Sequence, residues 1–239
     1  MEEMMQRGFN DNAPEIINAS EPHMACLFLV DTSGSMGVLL EDGSTPIEEL
    51  NKALNRFKVE VCEDRKTRDI LDVAIVQFGS EVNVVQPFRP VEQMQPVSLT
   101  LTGSTNMAGG LRMAIDMIIE RGRLYRRTGT QPYCPWIVMI TDGYPDAPFP
   151  ADALAQEIES LDQQDKLRLW SLAVSGADTQ LLNKLGHGKR SLVLKGYDFS
   201  KFFDWANKSM RSISVSSPGE RAKGVELPDN VSKNVDSWM

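Results

Sequence analysis

The chain has little of what most soft-metal and redox centres use: three cysteines and two histidines in 239 residues. Cys26, Cys62 and Cys134 are odd in number, lie far apart and form no CxxC pair, so neither a disulfide framework nor a thiolate zinc site is suggested. A reducing compartment is expected. His23 and His187 have no second nitrogen or sulfur ligand near them in sequence and are read as surface or loop residues. No stretch approaches the roughly 18 apolar residues of a membrane span. The start, MEEMMQRGFNDNAPEIINASEP, lacks the basic opening and apolar centre of a secretory signal. These absences predict a cytoplasmic protein. Basic charge is also short, and the formal net charge of -8 argues against a nucleic-acid binder driven by overall charge.

What is present is an ordinary globular composition, 41% hydrophobic and 24% charged, at a length that suits one domain with a sizeable core. Apolar runs of strand length at 24–30, 71–78, 136–140, 167–174 and 191–194 alternate with helix-period segments. Near-continuous apolar strands are those covered on both faces. The pattern predicts an α/β fold, a doubly wound, mostly parallel central sheet with helices on both faces. Residues 82–88 follow the second strand across a GSE turn and predict one antiparallel edge strand. Ile47, Leu50, Leu54, Phe57 and Val61 step by three and four along one helix face. Thr45, Pro46 and Glu48 open that helix as a T-P-x-E capping box. Further helices are expected over 106–125, through Leu154, Ile158 and Leu161, and along Phe199, Phe202, Phe203, Ala206 and Met210. Periodicity is lost after residue 212, which predicts an arm at 1–20, a domain at 21–212 and a tail at 213–239.

The chemistry concentrates where strands end. DTSGSMG, residues 31–37, follows the first apolar run, and alternates an acid with two hydroxyls, Asp31, Ser33 and Ser35. Alone it reads as a turn. In an open parallel sheet, however, loops leaving the carboxyl ends of strands converge on one crevice. ITDGYPD brings Asp142 to the same end, and LTGSTN brings Thr105 to the start of the second long helix. Two carboxylates and three hydroxyls are hard oxygen donors, a set suited to Mg²⁺, with Mn²⁺ or Ca²⁺ as alternatives. Thr105 has a rival reading as a helix N-cap, with Thr102 and Ser104 close by.

D-x-S-x-S after a first strand, G-S-T-N-M-A-x-x-L opening a helix and T-D-G after a later strand resemble the von Willebrand factor type A (vWA) domain. They match the three pieces of that family's metal-ion-dependent adhesion site (MIDAS). The resemblance implies that Ser33, Ser35 and Thr105 ligate a metal directly and that Asp31 and Asp142 hold it directly or through water. It implies a protein partner whose Asp or Glu fills the remaining coordination position. The ending LKGYDFSKFFDW with the Ser/Pro/Gly-rich tail after it is similar to the stand-alone bacterial TerY-like, tellurium-resistance branch, which implies a stress-response system whose kinase or phosphatase supplies the partner. Integrin-type domains carry further acids after the serine pair; Met36, Gly37, Val38, Leu39 and Leu40 stand here, so no second metal is expected.

The competing class is a metal-dependent phosphohydrolase using Asp31 as nucleophile. Haloacid-dehalogenase-type enzymes need a second aspartate two residues on as proton carrier, and Ser33 stands there. No GK[ST] phosphate loop occurs, and SGSMG around Ser35 fails the GxSxG spacing. A non-catalytic binding module is therefore expected. Arg121, Arg123, Arg126 and Arg127 are read as a solvated helix end, with a phosphate or acidic-partner contact as the other option. Asp146 is read as a solvated turn acid, with support of the site as the other option, and Trp238 as either a groove anchor or a cover on the domain's own surface.

Overall fold

All eight residues of strand β1 (Met24–Asp31) are buried, as its unbroken apolar sequence requires. Alternate side chains serve two cores. Met24, Cys26, Phe28 and Val30 join one cluster, while Ala25, Leu27 and Leu29 join the other. The computed structural model describes residue 16, residues 18–220 and residues 222–234. Trp238 and the first fifteen residues of the expected arm lie outside the described residues.

Around β1 run β2 (Leu71–Phe78), β3 (Val82–Pro90), β4 (Trp136–Thr141), β5 (Arg168–Ala173), β6 (Ser191–Leu194) and β7 (Val231–Lys233). The sheet order is β3-β2-β1-β4-β5-β6-β7. Strands β2, β1, β4, β5 and β6 pair in parallel, and β3 pairs antiparallel with β2. A second antiparallel edge corrects the expectation of one: Val231 pairs with Leu194 and Lys233 with Leu192. The segment read as a tail thus contributes β7 to the sheet. Three residues are too few for an alternating pattern to show.

Helices α1 (Pro46–Glu63) and α6 (Phe199–Ser214) cover one face, where Phe28, Phe57 and Phe203 meet at centroid separations of 5.2 to 5.6 Å. The other face is covered by α3 (Met107–Thr128), α4 (Ala151–Gln163) and α5 (Thr179–Leu185), which contribute Leu111, Leu154 and Leu182 to the second cluster. The expected capping box is present: Glu48 N–H donates to Thr45 Oγ1 at 3.4 Å and Thr45 N–H to Glu48 Oε2 at 2.9 Å. Two short helices were not legible as periodic segments, α2 (Arg65–Ile70) and α5, each opened by an aspartate cap, Asp64 and Asp178.

A buried polar cluster lies at the opening end of β2. Asp72 Oδ2 accepts from Tyr125 Oη at 2.5 Å and Arg121 Nη2 at 2.7 Å, and His23 Nδ1 lies 3.2 Å away. All four residues are buried, so His23 is no surface residue and Arg121 no solvated helix end. Arg123 and Arg127, by contrast, are exposed and pair with Glu120.

Candidate metal centre

The strand order places the crossover at β1 and β4: the chain leaves β1 toward β2 on one side and leaves β4 toward β5 on the other. Loops diverge there, and the carboxyl ends of the two strands open a crevice. Asp31 ends β1, and Asp142 directly follows β4. Neighbouring strands in register therefore bring together two acids 111 residues apart in sequence; Val30 pairs with Ile140.

Asp31 is fully buried and held from both oxygens. Its Oδ1 accepts the Ser33 N–H at 2.8 Å and its Oδ2 the Thr141 hydroxyl at 2.5 Å. Ser33 and Ser35 hydroxyls lie 3.0 Å apart, and Ser35 Oγ donates to Asp142 Oδ1 at 2.7 Å. The third loop is locked to the first through a bridge between Ser33 and Gly103, with Gly34 N–H donating to Gly103 O at 2.8 Å. Gly103 has φ +98°, a conformation that side chains rarely adopt.

Gly143 shows where the oxygens point. A Cβ built on it would lie 3.6 Å from Asp31 Oδ2, 3.6 Å from Thr105 Oγ1 and 3.8 Å from Ser33 Oγ. Three donors, Asp31 and Ser33 from one loop and Thr105 from another, thus face one point, and the Ser33–Ser35–Asp142 hydrogen-bond chain joins the other two to them. The structure brings together all five residues singled out in the sequence. Asp31, Ser33, Thr105 and Asp142 are buried, while Ser35 and Gly34 are exposed, so the cradle opens to solvent on the Ser35 side.

The rival readings of the third loop are resolved by partners. Asn106, not Thr105, caps α3, accepting the Gly109 N–H at 3.0 Å. Thr102 turns to Thr32, Oγ1 to Oγ1 at 2.8 Å, and Ser104 N–H donates to Ser80 Oγ at 3.0 Å. Thr105 alone of the three presents its hydroxyl to the cradle. Asp146, read as a solvated turn acid, also serves the site: its Oδ2 accepts the Thr105 N–H at 3.1 Å, and its own N–H donates to Thr105 O at 3.0 Å. Thr141 was missed, although it is the first residue of TDG itself; a hydroxyl that orients another residue's carboxylate has no spacing of its own to read.

The electrostatics match the geometry. Burial pushes the Asp142 carboxyl up to about 6; the Ser35 hydroxyl opposes this, and the nearby Asp31 charge adds to it. Burial likewise raises Asp31, against the hydrogen bonds of Thr141 and Ser33, and the Asp146 charge raises it further. Two desolvated carboxylates that repel each other are stabilised in the ionised form by a cation between them. The donors are carboxylate and hydroxyl oxygens, and among the described residues no group of three or more His, Cys, Asp or Glu is placed to hold a metal. The set fits a hard divalent ion and no thiolate or imidazole centre.

Fold and cradle together define an open α/β domain with an oxygen-donor site on the loops of its crossover. The family model of the von Willebrand factor type A domain matches residues 26–207, and the chain belongs to that family. Solved structures with this fold include the PilB minor pilin from Streptococcus sanguinis, at 16% identity and TM-score 0.58, covering 80% of this chain and 61% of that one. The vWF domain of the type V pili tip protein Mfa5 from Porphyromonas gingivalis matches at 10% identity and TM-score 0.57, covering 84% of this chain and 98% of that one. Proximal thread matrix protein 1 from the mussel byssus, solved with a zinc-occupied MIDAS motif, matches at 17% identity and TM-score 0.53, over 78% of this chain and 45% of that one. Identities this low establish likeness of fold alone. The chain spans less than two thirds of the pilin and mussel chains, and no curated protein matches it. No helix among the described residues is long and apolar enough to cross a membrane.

Proposed function

We propose that this protein is a divalent-metal-dependent interaction module that binds an acidic residue of a protein partner. The observation that carries the reading is the cradle, in which Asp31, Ser33 and Thr105 oxygens face one point beside Gly143 and Ser35 and Asp142 are hydrogen-bonded into the same cluster. Asp31, Ser33, Ser35, Thr105 and Asp142 hold the ion, and a partner Asp or Glu completes its coordination from the open Ser35 side. The zinc-occupied motif of the mussel protein supports a divalent ion. The all-oxygen donors here favour Mg²⁺, with Mn²⁺ or Ca²⁺ as alternatives, over Zn²⁺.

The module is non-catalytic in this reading. Support comes from Ser33 at the position where a phosphohydrolase would need its acid. Three free cysteines, Cys26, Cys62 and Cys134, support a reducing, cytoplasmic setting. Placement in a TerY-like tellurium-resistance system, with a kinase or phosphatase as partner, is supported by the resemblance of residues 194–205 and of the Ser/Pro/Gly-rich stretch that follows.

Calorimetric titration of metal-stripped protein with Mg²⁺ is expected to show one site, lost in Asp31→Ala and Asp142→Ala. Absence of heat from the wild-type protein, with both variants behaving alike, removes the reading. Hydrolysis of p-nitrophenyl phosphate is expected to stay at background. Turnover abolished by Asp31→Asn would establish the phosphohydrolase instead.

A further inference from the structure

The loops that carry the candidate ligands also carry half of the large hydrophobic side chains exposed among the described residues. Val38 is 58% exposed, Leu39 74%, Leu101 45% and Tyr144 66%. Val38 and Leu39 stand three and four residues after Ser35, Leu101 four before Thr105, and Tyr144 two after Asp142. The loops are joined side by side: Gly37 lies so close to Leu101 that a Cβ there would come within 2.4 Å of Leu101 Cδ1, and the Ser35–Asp142 bond of 2.7 Å brings in the loop of Tyr144. Exposed apolar side chains on loops that meet at a polar site mark an interaction surface.

Charge narrows the occupant. Residues 31–45, 99–106 and 141–150 contain no Lys or Arg, whereas Asp31, Glu41, Asp42, Asp142 and Asp146 are all acidic. A bound divalent ion would bring to these three loops a positive charge that their own residues lack. It can accept one carboxylate, and any further acid on the partner would meet like charge without a compensating base.

We infer that the partner is a protein segment with a single Asp or Glu flanked by large aliphatic or aromatic side chains, which pack on Val38, Leu39, Leu101 and Tyr144 while the carboxylate meets the ion. This specificity rests on the metal-dependent reading of the same site. A polyacidic segment is disfavoured by the surrounding acids, and a free small carboxylate by its lack of apolar contacts.

The test compares three peptides on the full chain at saturating Mg²⁺: acetyl-Gly-Leu-Glu-Phe-Gly-amide, acetyl-Gly-Ser-Glu-Ser-Gly-amide and acetyl-Gly-Asp-Glu-Asp-Gly-amide. The Leu/Phe-flanked peptide is expected to bind about tenfold tighter than the Ser-flanked one, a difference set by burial of its two apolar side chains. The Asp-flanked peptide is expected to bind weakest. The double substitution Leu39→Ser, Tyr144→Ser is expected to erase most of that preference while leaving the Mg²⁺ titration unchanged. Equal affinity for the three peptides, or a preference that survives the double substitution, overturns the inference while Mg²⁺ uptake continues. Failure of the wild-type protein to take up Mg²⁺ is a separate result and removes the metal reading itself.

Discussion

Asp146 holds no place in the three-part motif, yet it clasps Thr105 from both sides, through one side-chain and one backbone hydrogen bond. Removing an acceptor of this kind costs about 1 kcal/mol, a several-fold effect. Asp146→Ala is therefore expected to weaken Mg²⁺ binding several-fold, and Asp146→Asn, which keeps an acceptor oxygen, to weaken it less. Equal metal affinity in both variants and the wild-type protein would show that the clasp is idle. Gly143 allows a sharper trial. A methyl there makes ordinary contacts of 3.6 to 3.8 Å but faces the three donor oxygens. Gly143→Ala should fold with near-normal stability by urea denaturation and lose much of its Mg²⁺ affinity by calorimetry. Unchanged affinity would mean that the ion sits elsewhere. Of the candidate residues, Asp31, Ser33, Ser35, Thr105 and Asp142 were legible because each falls at a strand end or helix start. Thr141 was not, and Asp146 stood only as the second option to a solvated turn acid, since supporting contacts depend on where loops meet.

At the scale of elements, the best-signalled helix was also the best bounded. Thr45, Pro46 and Glu48 start α1 where the capping box is read, and the observed bonds join Thr45 and Glu48 in both directions. Thr45→Ala is expected to lower stability by about 1 kcal/mol, measurable as a shift in urea midpoint with unchanged slope. No shift would mean that α1 is held by packing alone. Long periodic helices and wholly apolar strands were readable because one repeated spacing covers many residues. The helices α2 and α5 and the strand β7 were not: six, seven and three residues hold too little of any period. β7 exists because Val231, Ser232 and Lys233 find the free edge of β6, a partner defined only after the sheet has formed.

For the molecule as a whole, stability and function are separated along the sheet. The loops at the carboxyl ends of β1 and β4, with the loop that opens α3, carry the candidate ligands, while the Asp72 cluster lies at the opposite end of β2. Burial works to raise the Asp72 carboxyl, but hydrogen bonds from His23, Arg121 and Tyr125 and the Arg121 charge outweigh it, so its pKa lies below the usual value. A lowered native pKa adds stability that is full above the ordinary carboxylate value, about 4, and is lost as pH falls through the native value. Wild-type stability, followed by urea denaturation, should therefore drop more steeply below that pH than the stability of Asp72→Asn. Parallel acid limbs would remove Asp72 as the source. Asp72→Ala, which leaves the Arg121 charge buried without its partner, is expected to cost about 3–5 kcal/mol at neutral pH. Metal acts on the other end. If Mg²⁺ binds the folded state alone, a concentration about 100 times its Kd adds about 2.7 kcal/mol, visible as a raised Tm. A Tm unmoved by saturating Mg²⁺ or Mn²⁺ would count against the site. The sequence by itself determined the alternation of buried strands with amphipathic helices, and with it the doubly wound sheet and the loops that end in oxygen donors. Those features follow from periodicity and end signals carried by neighbouring residues. Only the tertiary structure decided which hydroxyl of the third loop enters the cradle, that Arg121 and His23 are buried against Asp72, and that the last described residues close the sheet. Each depends on contacts between segments tens of residues apart, and no local spacing encodes such a contact.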